Sequence, residues 1–115
     1  MAAVELLIGH AVWLRRNDFV DRFVDTADDL AGEGMLAWVK WSAVVRALDA
    51  GWLGCSGSEA RVLRIAASLA EGVLVDLGEA VTGLDEANIG LVAAAVLRAN
   101  GRGGAVLGVG GVAGR

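Results

Sequence analysis

Residues 60–70 are apolar at every position except Arg61, Arg64 and Ser68. On a helix these three fall with Glu71 on one narrow line, because side chains three and four apart share a face. A helix with so thin a polar line must be covered on its other sides by neighbouring elements. Ser56 and Glu59 stand just ahead of it at the spacing of a capping box, and Gly72 follows it as a stop. The helix near 59–71 is therefore expected at the centre of the core, and the rest of the chain must enclose it.

The flanking segments have the means. Val4, Leu7, Ile8, Ala11 and Leu14 recur at helical spacing and predict a helix over 2–16. Asn17 or Asp18 can cap a second helix over roughly 18–30. Its apolar face is Phe19, Val20, Phe23, Val24, Ala27 and Leu30, and its acidic face is Asp18, Asp21, Asp25, Asp28 and Asp29. Gly32 and Gly34 break the pattern. A third helix is expected over 35–49, with Trp38, Trp41, Val44, Val45 and Leu48 on one stripe that Trp52 continues. The alternative is a shorter helix, with residues 36–41 extended and Ser42 as the cap. Asp76 and Glu79 cap a short helix over 77–82, and Asp85 opens a last one over about 86–99 that Gly101 closes.

These segments predict an all-α fold, a compact bundle of five or six short helices in a single domain over residues 1–100. With 56% apolar residues and no proline, a chain of 115 residues can bury such a core without disulfides. Glycine fills seven of the fifteen positions 101–115, so this stretch is expected to be a flexible Gly/Val-rich tail. Its two Gly-x-x-x-Gly spacings, at 104–108 and 110–114, lie in too short and interrupted a segment to form a membrane helix. The apolar stretch Ile89 to Leu97 is also too short to span a bilayer, and Met1 to His10 lacks the basic start of a secretory signal. A lone cysteine, Cys55, cannot form an internal disulfide, which fits a cytoplasmic location.

Four features carry chemistry, and each has a plain structural reading. Residues 77–82, Gly83-Leu84 and 86–97 have the layout of a helix-turn-helix. Glu79 occupies the place four before the glycine where alanine is usual, and the second helix begins Asp85-Glu86-Ala87-Asn88 with no basic residue before Arg98. Phosphate contact asks for the opposite charge, so nucleic acid is not the expected partner, and a glycine turn between packed helices is the plainer reading. Cys55 stands just before a helix, where a thiolate is favoured, but a Cys–His pair would need it to meet His10, the only histidine; a small turn thiol is the plainer reading. Carboxylates along one helical face cannot encircle a metal ion, so no metal or cofactor is expected, and Asp18, Asp21, Asp25 and Asp28 read as a solvated face or a docking surface for a basic partner. Trp13, Trp38, Trp41 and Trp52 read as core, with an interface as the alternative.

Without a catalytic or cofactor constellation, the expected function is that of a small cytoplasmic interaction or accessory protein acting through an apolar helix face and the acidic surface. A helix-turn-helix regulator and a cysteine-dependent enzyme are the alternatives. The last helix is apolar nearly all round, and the central place is already taken by 59–71. The two helices can pack against each other and share the centre, which is the plain reading; otherwise part of 89–97 stays exposed, and a homodimer through Ile89, Val92 and Val96, with Ala93, Ala94 and Ala95 allowing close approach, is the expected use of that surface.

Overall fold

The computed structural model describes residues 1–28 and 35–101. The chain runs through α1 (Ala2–His10), a 3-10 turn (Trp13–Arg15), α2 (Asn17–Phe23), β1 (Val24–Asp28), β2 (Met35–Val39), α3 (Trp41–Asp49), α4 (Gly57–Glu71), α5 (Leu77–Thr82) and α6 (Glu86–Ala99). It is a mostly helical bundle with one antiparallel hairpin. Residues 102–115, expected to form a flexible tail, lie outside the described residues.

The capped helices start where their side chains can satisfy free amides. Ser56 accepts from the Glu59 amide at 3.2 Å while Glu59 accepts from the Ser56 amide at 2.8 Å. Asp76 accepts from the Glu79 amide at 3.0 Å, and Asp85 from the Asn88 amide at 2.8 Å. Gly72 closes α4 with φ 70°, a left-handed conformation that a Cβ would oppose.

α4 does sit at the centre. Val62, Leu63, Ile65, Ala66 and Ala67 are all buried, and α1, α3, α5 and α6 pack around it. Its thin polar line is spent on neighbours: Arg64 reaches Asp49 of α3 at 2.8 Å, and Arg61 reaches Glu79 of α5 at 2.8 Å. α1 lies against both α4 and α6. Gly9 marks its close approach to α6, since a Cβ there would stand 3.0 Å from Leu91 Cδ2.

Three expected boundaries differ. The first helix stops at His10 rather than 16. Ala11 turns left-handed with φ 60°, and the chain then tightens into the 3-10 turn. A non-glycine residue there costs about 1 kcal/mol. The turn carries Trp13 into the core, where it is fully buried and its indole N–H donates to the Glu59 carbonyl of α4 at 3.0 Å.

The second helix ends at Phe23, not 30, and the third begins at Trp41, not 35. Residues 24–28 and 35–39 pair instead as strands, with Val24 opposite Val39 and Asp25 opposite Trp38. The Lys40 amide donates to the Phe23 carbonyl at 2.8 Å and closes the hairpin at its base. The shorter version of the third helix was the nearer expectation. Val24, Thr26 and Val39 are β-branched and suit the pleat, whereas the helical spacing of the aspartates carries no packing energy to oppose it.

His10 ends α1 where that helix meets the first turns of α4 and α6. Its Nδ1 is buried without a hydrogen-bond partner among the described residues. Burial lowers its pKa from the ordinary value, against the opposing pull of Glu59 and then Asp85. A base whose folded pKa is depressed binds fewer protons than the unfolded chain just below about pH 6.5, so stability rises with pH through that window. We expect the melting temperature of the protein to fall between about pH 7 and about pH 5, and to fall less in His10→Gln. Parallel pH profiles for the two proteins would show that His10 does not carry the effect.

Candidate interaction surface

The side chains of α6 divide sharply between two faces. Val92 is 4% exposed and Ala95 is fully buried, both packed in the core with α1 and α4. Beside Val92, Ile89 three residues before it is 36% exposed and Val96 four residues after it is 49% exposed, with Gly90 and Ala93 farther round and also open to solvent. The outward positions repeat every seven residues: Glu86, Ala93 and Asn100 on one line, Ile89 and Val96 beside it, Gly90 and Leu97 on the other flank. Positions seven apart share a line on any α-helix, so this spacing describes the open face without naming what meets it. Two of the three expected apolar contact residues, Ile89 and Val96, lie on this face, and Val92 belongs to the core.

The acidic residues do not share one helix face. Asp18 and Asp21 are on α2, while Asp25 and Asp28 are on β1. Asp18 is held by Arg16 at 2.5 Å, and that hydrogen bond lowers its carboxyl below the ordinary value. Asp25 lies 3.3 Å from Lys40 Nζ. The negative charge of two of the four is thus met by neighbouring cations. Among the described residues no group of three His, Cys, Asp or Glu side chains gathers where it could hold a metal ion.

No known protein family, curated protein or solved structure matches this chain.

The layout α5–Gly83–α6 resembles a helix-turn-helix in outline, and a side chain of α4 lies over its glycine. The Arg61 guanidinium lies so close to Gly83 that a Cβ there would come within 2.4 Å of Arg61 Cζ. Glu79, which departs from the usual alanine, is the partner of that same arginine. The outward face of α6 carries Glu86 and has no Lys or Arg before Arg98.

Cys55 is exposed in the connection before α4. Its pKa is raised, first by desolvation and then by Glu59, against a pull from Arg16 and Arg64. A raised pKa reduces the thiolate fraction, the opposite of what an activated nucleophile needs.

The tryptophans divide in two. Trp13 and Trp41 are core, while Trp38 is 47% exposed and Trp52 is 69% exposed. Trp38 stands on β2 between two surface clefts. One, of about 250 Å³, is lined by apolar Val4, Leu14, Val20 and Val24; the other, of about 390 Å³, lies toward Met1, Trp41 and Glu71. Sequence reasoning did not separate Trp38 from the core set, because its stripe is helical only if 35–49 is one helix. Trp52 carried a usable signal in Gly51, whose φ of 78° ends the helix ahead of it. Among the described residues no helix is long and apolar enough to cross a membrane.

Proposed function

We propose that this chain is an interaction protein that associates with a second copy of itself through the outward face of α6. The observation that carries the reading is the exposure of Ile89 and Val96 on one seam of a 14-residue helix, with only small residues, Gly90 and Ala93, between them. Exposed apolar side chains are common singly, but a repeat along one helix face is the form that packs against another helix. Small residues between them let two backbones approach closely. The acidic residues are given no part in this, since Arg16 and Lys40 already accompany two of them.

Light scattering across a dilution series tests it. The expected result is a dimer mass at high micromolar concentration that falls toward the monomer on dilution. Val96→Glu is expected to remain monomeric at every concentration with an unchanged helical circular dichroism spectrum, because the new carboxylate is placed on an exposed position. A monomer mass for the unaltered protein throughout the series would end the proposal.

A further inference from the structure

The smaller cleft beside Trp38 stands apart from the self-association proposed above, since no residue of α6 lines it. Five elements meet around it. Val4 of α1, Leu14 of the 3-10 turn, Val20 of α2, Val24 of β1, and Trp38 and Val39 of β2 enclose about 250 Å³ that opens to solvent on one side. Protein interiors are packed as densely as organic crystals, and a wall that faces a gap gives up its dispersion contacts. Val39 is buried and Val4, Leu14, Val20 and Val24 are half-buried, yet none of them fills this space. Trp38, the largest side chain of the set, stays 47% exposed rather than closing it.

The chemistry of the lining narrows what can enter. Apart from the Trp38 indole N–H, no lining side chain has a polar atom. A charged group placed here loses water and meets no partner, and an extended peptide brings N–H and C=O groups that lose theirs. Glu71, in the wall of the neighbouring cleft on the other side of Trp38, adds a reason against an anion. Size narrows it further. An apolar cavity of about 150 Å³ holds one benzene ring, so 250 Å³ has room for a ring with a short substituent or for two fused rings, and not for the length of a lipid acyl chain.

We infer that this cleft is a binding site for a small uncharged molecule with an aromatic or short alkyl body, packed among Val4, Leu14, Val20 and Val24 and against Trp38. Removal of its apolar surface from water supplies the affinity, as in most small-molecule sites.

Toluene is the probe, titrated into the full chain with its methyl groups isotopically labelled for magnetic resonance. It is expected to shift the Val4, Leu14, Val20, Val24 and Val39 methyl signals together, to saturate with a Kd on the order of 1 mM, and to leave Ile89 and Val96 unmoved. Benzoate carries the same ring with a carboxylate and is expected to bind at least about tenfold more weakly. Val20→Phe sets a ring into the gap from α2 and is expected to weaken toluene about tenfold or more, with circular dichroism reporting an intact fold. Trp38→Ala removes one wall from an exposed position and is expected to weaken it about threefold or more, which keeps the test decisive should Val20→Phe not fold. Trp52→Ala, at an exposed tryptophan outside the cleft, is expected to change nothing. Shifts that never saturate, or that spread equally to Ile89 and Val96, overturn the site. Toluene binding unchanged in a folded Val20→Phe or Trp38→Ala protein overturns it as well. Benzoate binding as tightly as toluene overturns the assignment to an uncharged ligand.

Discussion

Replacing Trp13 by alanine is expected to remove about 3–5 kcal/mol of stability, enough to leave much of the protein unfolded at room temperature. Trp13 is fully buried, and its ring meets Phe19 at a centroid distance of 5.3 Å, which in turn meets Phe23 at 5.4 Å. The Arg16 guanidinium lies 4.8 Å from the centroid of the indole. Its N–H is the bond that joins the segment after α1 to the first turn of α4. Truncation therefore loses the apolar contact, leaves a large void that the neighbouring rings cannot fill, and removes the indole's bond to the Glu59 carbonyl together. Trp13→Phe keeps most of the ring contact and loses the donor, so a smaller cost of about 1–2 kcal/mol is expected. Urea unfolding of the three proteins measures both. An alanine variant within about 1 kcal/mol of the original would mean that the turn at 13–15 is not fastened through this side chain.

Val92→Glu is expected to abolish the cooperative unfolding transition and most of the helical signal, whereas Val96→Glu, four residues on, leaves both within about 0.5 kcal/mol of the original. The contrast follows from one helix turned between two environments. Val92 is 4% exposed, so a carboxylate there loses its water; Val96 is 49% exposed and its replacement stays hydrated. An uncompensated buried charge costs several kcal/mol, comparable to the whole stability of a small domain. Far-UV circular dichroism with thermal melts decides it. A folded Val92→Glu protein would show that α6 can rotate or slide to bring this position out.

Local chemistry made most helices readable. Ser56, Asp76 and Asp85 each announce the start of a helix because the cap is a contact between residues only three apart. The hairpin was hidden for the converse reason. Strand pairing joins residues seven to fifteen positions apart, from Asp28 opposite Met35 to Val24 opposite Val39, and no turn chemistry in the three-residue reach of a cap announces it. Meanwhile Asp18, Asp21, Asp25 and Asp28 keep a helical spacing that the backbone does not follow past Phe23. The candidate surface was legible only in part. An apolar helix announces that it needs cover on many sides, yet its own residues cannot say which side the core takes. Gly9, by letting α1 approach at Leu91, helps select that side, and so divides Val92 from Val96.

The position of α1 has a further consequence for how the chain is made. Its partners, α4 and α6, are translated well after it, and its indole-bearing turn waits for a carbonyl 46 residues downstream. Leu6 and Leu7, both buried in the finished protein, therefore stay uncovered while the middle of the chain emerges. At about 5–20 residues per second, several seconds separate the synthesis of α1 from that of α6. α1 is thus a late-closing piece of the fold, since its cover is made only when α4 and α6 follow.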